Sequence, residues 1–549
     1  MNHAEQNIDM VVLNTENGSI IPQEIIENDN TNNNQSAVSF KEALKKMSRS
    51  GSTIFIIVLS GSLHAFISGT FLARISDEAK EATSIINAEK LGMLSLFAAP
   101  ITIMSSTISQ NLAMKNNGEK TADEIARIVQ AGYILAASYS IFPIIIFACT
   151  KPILLGMFDK ADTLQVANIC QDFFWGFLPG VIPYFLRLNT NHFINGLDKR
   201  YKVAAIEIGA ITLSLGLTYL LILGKHGAMK LEAFGYGLAQ SIENFMSLIG
   251  YQLMVFFYKD FKEYQLYKPR WNYKGHIINL LKNGLPIILA YFGEQVVLLT
   301  FSLAATKMGS NQLIAQNVLT LCVNLLMSAS FAFLNAAMVF FGEIYGSKRE
   351  LDQIKLIKRY IAAGLLISLI LPLIALIAFS LIPKLIMQPF VDSADKENAE
   401  IVELLTTALP LMAISNAFDS MRLVLAGALI GMGDSKIPAL ANCLLQALLG
   451  APLMLALGLG TSLGVIGTIA GYGISSLVIG VFCLYRLNIR SNQLAQEVIE
   501  RNNETIPLGT SSNFFQKAQS PALNKLKADS EKTDQQMPYL TNRQASYNK

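Results

Sequence analysis

RLVLAGALIGMGDSKIP, residues 422 to 438, and RLNTNHFINGLDKRYKV, residues 187 to 203, each open on an arginine, carry a glycine nine residues later and close on a charged turn. Arg187 answers Arg422 and Gly196 answers Gly431 at one offset, 422 minus 187 or 235 residues. A helix that stops the same way twice belongs to a unit present in two copies. The glycines and aspartates of the two endings (Gly196 and Asp198; Gly431, Gly433 and Asp434) are residues that accept the backbone geometry of a tight reversal.

Two earlier stretches also pair. NNGEKTADEIARI (116 to 128) matches EIYGSKRELDQIKLI (343 to 357), with Gly118 facing Gly346 and Lys120 facing Lys348. KPILLGMFDKADTLQVA (151 to 167) matches PKLIMQPFVDSADKENA (383 to 399), with Phe158 facing Phe390 and Asp162 facing Asp395. Ordered matches of this kind predict two homologous halves, a plan common in secondary transporters.

The content of each half follows from hydropathy. The chain is 52% hydrophobic and 15% charged, against roughly one quarter charged in soluble domains. Apolar segments long enough to cross hydrocarbon about 30 Å thick are read at 53 to 75, 91 to 113, 128 to 149, 170 to 190, 203 to 223, 234 to 257, 284 to 306, 314 to 341, 360 to 382, 403 to 428, 438 to 458 and 464 to 486. The fold expected is an all-α integral membrane protein of twelve transmembrane helices in two six-helix lobes, a 6+6 repeat. Its parts are a disordered cytoplasmic tail over 1–40, an N-lobe over 41–257 (helices 1 to 6), a basic cytoplasmic linker over 258–276, a C-lobe over 277–490 (helices 7 to 12) and a polar cytoplasmic tail over 491–549. Lys and Arg crowd the loops on the side of the tails, among them Lys199, Arg200, Lys202, Lys259, Lys262, Lys268, Arg270, Lys348 and Arg349. That bias places both termini in the cytoplasm.

Other classes find little support. A net charge of +3 gives no nucleic-acid footprint. The chain has no GxxxxGK[ST] loop for a nucleotide and no HExxH, and its histidines, His3, His64, His192, His226 and His276, are scattered. Cys149, Cys170, Cys322, Cys443 and Cys483 lack metal-ligand spacing and read as apolar packing residues. The segment KNNGEKTADEIAR lacks the Gly-x-x-x-Asp-Arg-x-Gly-Arg pattern expected of a major-facilitator transporter. No enzyme, cofactor or metal is expected.

The turn IGMGDSKIPAL, its echo INGLDKRYKVA, the helix opening NGLPIILAYFGEQ and the opening LIAQNVL together resemble the multidrug and toxin extrusion (MATE) transporters over about residues 40 to 490. The resemblance implies two six-helix lobes forming a V. It implies a cation-coupled antiporter, driven by protons or sodium, that exports organic cations or other amphiphilic drugs by alternating access. It also implies coupling acids in the seventh and tenth helices, which fall on Glu294 of YFGEQVV and Asp419 of NAFDSMR, with sodium possible at that pair. An aspartate that many damage-inducible members carry in the first helix is missing from LSGSLHAFISGTF.

The residues themselves agree in part. Glu294 lies ten residues, about 15 Å, beyond Gly284 at the start of its helix, and so near the midplane. A carboxylate that deep costs roughly 2.5–3.5 kcal/mol to insert and is kept for a purpose. Asp419 has two readings: a fixed pair with Arg422 one turn on, or a free acid acting with Glu294. Arg187 holds the equivalent place without an acid one turn before it, so arginine is expected to serve separately and Asp419 to act with Glu294. Glu207, Glu243, Trp175, Tyr184, Arg187 and Arg422 are the other expected cavity residues, and His64 is either a proton relay or a packing group. The partners expected are a small amphiphilic substrate and membrane lipid, for a monomer in a cell membrane, read as a bacterial inner membrane. Two alternatives stay open, a flippase for lipid-linked saccharide or lipid, and a non-transporting scaffold.

Overall fold

A computed structural model of the chain describes residues 40–157, 163–224, 229–347, 352–388 and 398–504. Among these the regular elements are helical, with no strand. The first half holds α1 (Phe40–Ala73), α2 (Asp77–Thr102), α3 (Met104–Asn116), α4 (Ala122–Tyr139), α5 (Ile141–Ala148), α6 (Thr150–Met157), α7 (Thr163–Phe177), α8 (Val181–Gly196), α9 (Ala204–Leu223) and α10 (Glu232–Phe257). After the short α11 (Lys259–Lys262) come α12 (Lys274–Met308), α13 (Ser310–Ser347), α14 (Asp352–Leu381), α15 (Pro383–Met387), α16 (Ala399–Gly431), α17 (Lys436–Leu445), α18 (Ala451–Leu459) and α19 (Val465–Glu504).

Among the described residues, 10 helices are long and apolar enough to cross a membrane. The difference from the twelve spans read in the sequence has a physical source. The fourth span is interrupted by a 3-10 turn at Leu178–Gly180 between α7 and α8, and it carries Gln171, Asp172, Arg187 and Asn189. The sixth, α10, is an unbroken helix of 26 residues but holds Glu232, Gln240, Glu243, Asn244 and Gln252. Both are helical over the expected stretches and too polar to qualify on hydropathy.

The repeat is most legible at its turns. After α8 the amides of Leu197, Asp198 and Lys199 donate to the carbonyls of Phe193, Asn195 and Ile194; after α16 those of Met432, Gly433 and Asp434 donate to Ala428, Ile430 and Leu429. Every donor and acceptor corresponds at the 235-residue offset. Each turn puts its second residue in the left-handed region, Asp198 at φ 54° and Gly433 at φ 80°. A side chain at Gly433 would meet nothing closer than 3.5 Å, so its need for glycine is conformational. Gly433→Val should lower stability by about 1–2 kcal/mol, whereas Gly433→Asp, which copies Asp198, should be milder. Thermal stability of the purified variants in detergent checks the ranking.

The other two matches fare unevenly. Gly118 sits in a turn at φ 78°, whereas Gly346 lies inside α13, so these two glycines are not structurally equivalent. Phe158, Asp162, Phe390, Asp395 and Lys348 lie outside the described residues, although each stretch begins as a short helix, α6 or α15. The tails over 1–39 and 505–549 also lie outside them, and the tail expected from 491 begins as a continuation of α19 to Glu504. The linker is a packed tile. Phe261, Tyr264 and Leu266 are buried, and Arg270 donates to Asp123 (2.5 Å) and to the carbonyls of Tyr264 and Gln265 (each 2.9 Å).

Each half buries its own core. In the first, Phe173 and Phe174 of α7 pack with Phe147 and with Tyr236 of α10. That crossing needs Gly237, where a Cβ would fall 2.0 Å from the Phe173 carbonyl. In the second, α13, α14, α16 and α19 share one cluster, which the early turns of α1 enter through Ala43, Met47 and Ile54.

The halves meet along a seam between α3 and α13. Ser109 Oγ donates to the Val339 carbonyl (2.5 Å), Gln110 Nε2 to that of Gly431 (2.7 Å) and Asn117 Nδ2 to that of Ser347 (2.9 Å). Gly346 permits the approach, since a Cβ there would lie 2.2 Å from the Gln110 carbonyl. Gly346→Val should wedge the seam open, raising the labelling rate of a cysteine placed at Ser109 by about tenfold or more, the effect of some 1.4 kcal/mol on the opening equilibrium.

Candidate functional site

The acids singled out in the sequence converge on one arginine. Arg422 is 2% exposed on α16. Its Nε and Nη2 donate to Asp419 Oδ1 (2.8 and 2.6 Å), Nη1 to Asn442 Oδ1 on α17 (2.5 Å) and Nη2 to Glu294 Oε1 on α12 at a longer 3.4 Å. Asp419 is fully buried, and the side chain of Glu294 is 18% exposed.

The helices are brought to this point by particular residues. Gly293, next to Glu294, faces α17 so closely that a Cβ would stand 2.8 Å from Cys443 Cα. Asn442 Nδ2 donates to the Ala290 carbonyl of α12 (2.8 Å), which turns its oxygen toward Arg422. Ser476 of α19 reaches Asp419 Oδ1 at 3.4 Å. Asp419 is therefore tied to Arg422, which corrects the expectation of a free Asp419 acting with Glu294. Glu294, Arg422 and Asn442 line a cavity with Tyr291, Asn335 and, from the first half, Thr102. Its remaining wall is mostly apolar, with Ile287, Phe331 and Met338 among the contributors.

The first half builds a counterpart. Arg187 of α8 donates to Glu207 of α9 (2.7 Å), and Glu207 also accepts from Tyr251. Adding 235 to 187 and 207 gives 422 and 442, so Glu207 stands where the other half has Asn442. Adding it to 184 gives 419, so Tyr184, whose ring lies 5.5 Å from the Arg187 guanidinium, replaces Asp419. Arg187 does have an acid partner, one helix on rather than one turn back. Carrying the offset 20 residues past Arg187 would have found both Glu207 and Asn442 in the sequence.

Glu243 lies elsewhere in this lobe, 3.4 Å from His64, and Lys90 beside it donates to Gln240 at 3.1 Å. Trp175 is half exposed on α7. Of the six tentative cavity residues, Arg422 lines the cavity; Glu207, Glu243, Trp175, Tyr184 and Arg187 are not among its lining.

The family model that matches is MatE, over residues 286–456, the stretch that holds Glu294, Asp419, Arg422 and Asn442. Relatives described as "Probable multidrug resistance protein NorM" include one from Photorhabdus laumondii, 25% identical over 67% of this chain and 79% of its own length, and one from Haemophilus ducreyi, 24% identical over 72% and 82%. Residues 286–456 match the MATE family. The fold of the chain is that of solved MATE transporters at low identity. A MATE in complex with MaL6 superposes with a TM-score of 0.72 at 14% identity, covering 83% of this chain and 97% of that one. A MOP superfamily transporter from Pyrococcus furiosus, reported with reversed polarity of its binding pocket, gives 0.71 at 14% identity, covering 84% and 99%.

Proposed function

We propose that this MATE protein exports amphiphilic drugs, organic cations foremost, in exchange for an inward-moving monovalent cation, by alternating access between two lobes of six spans each. The observation that carries the reading is the charge of the Arg422 cluster. One guanidinium meets two carboxylates, Asp419 and Glu294, and the more loosely held carboxylate faces the cavity. One negative charge is left over at the wall, and that charge attracts either a coupling ion or a cationic substrate.

Competition for it gives exchange. Filling the site with the coupling ion weakens the organic cation and so biases one facing state, as linkage requires. In the first half the cations Arg187 and Lys90 stand with the acids Glu207 and Glu243, and Arg200 joins the same network through Asn191 and Tyr251, so no negative charge is left over there. The NorM names of the relatives support drug efflux. In this reading the 7–8 and 10 helices count as the fourth and sixth spans, and both termini lie in the cytoplasm, with the lobes sealed on that side. The test is accumulation of ethidium, rhodamine and acriflavine by proteoliposomes under an imposed pH or sodium gradient. Absence of gradient-driven movement for every dye would remove the proposal.

A further inference from the structure

We propose that Arg422 is a tethered cation that makes the coupling site of this transporter select protons and reject sodium. The inference rests on the coupling reading above and adds the identity of the ion.

Sodium binding demands several oxygens converging on one point, whereas a proton needs a single oxygen. Around Glu294 those oxygens are already engaged by nitrogen. Asp419 Oδ1 accepts twice from Arg422, from Nε and Nη2, the Asn442 oxygen accepts once from Nη1, and Glu294 Oε1 faces the same Nη2 that Asp419 holds. Among these three side chains, what remains for an incoming ion is the second oxygen of Glu294, with the buried Asp419 Oδ2 on the other carboxylate. A sodium ion there would also sit within a few ångströms of a fixed positive charge in a poorly screened setting, whereas a proton neutralises Glu294 without adding a separate cation. The other titratable groups around Glu294 are Tyr291 on its own helix and Tyr472 and Cys483 of α19, and none of them supplies a second negative charge to offset Arg422.

The repeat supports the assignment. Arg187 holds the same place in the first half and is engaged by an acid there too, so a buried arginine is a feature of this scaffold in both lobes. The halves differ in the number of acids gathered on it. A second acid in the C-lobe adds one unit of negative charge, which one proton cancels.

The experiment uses the full chain in proteoliposomes, with ethidium export and radioactive sodium retention as readouts. The wild type should export ethidium under a pH gradient in sodium-free buffer, ignore a sodium gradient at equal pH, and retain no sodium above background. Arg422→Lys, which keeps the charge, should preserve the indifference to sodium. Arg422→Gln should retain about tenfold more sodium than the wild type, a change that a purely structural role would not produce. Sodium-driven export by the wild type at equal pH overturns the proposal while leaving cation coupling standing, as does Arg422→Gln that folds and holds no more sodium. If Arg422→Gln does not fold, the wild-type sodium arm alone decides. Export driven by neither gradient would instead remove the coupling reading itself.

Discussion

Glu294→Gln should reduce gradient-driven ethidium export to the level of passive leak while leaving the protein folded. Glutamine keeps the shape of the side chain and an oxygen for Arg422, whose contact at 3.4 Å is the weakest of its four, so little stability is lost, about 1 kcal/mol or less. It removes the group able to gain and lose a proton. The cavity wall then has one charge state at every pH, and no differential affinity is left to bias the two facing states. Export by the variant would become independent of the imposed pH gradient, and ethidium binding would lose its pH dependence. Wild-type export rates in Glu294→Gln vesicles would refute the role given to Glu294.

Asp419→Asn should behave differently. Arg422 is 2% exposed and takes its two shortest carboxylate contacts from Asp419, so neutralising the aspartate leaves a buried guanidinium without its main counter-charge, a loss on the order of 3–5 kcal/mol. The arginine would then turn to Glu294 and hold it ionised, so export should fall as well. Converting Arg422 to Met in the same chain removes the stranded charge and should recover most of the stability. It also frees Glu294 to take up a proton, and part of the pH-driven export should return. Thermal stability and export measured for Asp419→Asn and for Asp419→Asn/Arg422→Met decide the point. A double mutant no more stable than the single one would show that the pair is not what holds Asp419 in place.

These two results separate roles that the sequence left joined. The i, i+3 spacing of Asp419 and Arg422 allows a pair, whereas the lack of an acid one turn before Arg187 points away from one. A local window sees one turn of one helix, while Glu207 comes from the next helix and Asn442 from its counterpart. Contacts across helices are legible only where the repeat offset is carried through, as it is for 187 with 422 and 207 with 442. The architecture was more accessible. Apolar runs and duplicated turns point to a two-part helical membrane protein without any knowledge of side-chain packing. Counting spans is harder, because Arg187 in the fourth segment and Gln240 and Glu243 in the sixth lower their hydropathy. Periodicity likewise places the ring of Trp175 on a helix and does not say which neighbour it meets.

The seam between α3 and α13 bears on how such a molecule changes shape at all. Its hydrogen bonds run from side-chain amides and a hydroxyl of one lobe to main-chain carbonyls of the other, and two of the acceptors, Gly431 and Ser347, are the last residues of their helices. Carbonyls at helix ends have no intrahelical donor and are as readily served by water. Each such bond contributes about 0.5–1.5 kcal/mol net, so undoing all three costs only a few kcal/mol. These three bonds work as a latch rather than a weld, while the apolar contacts of Ala43, Met47 and Ile54 with the second half keep the two halves joined.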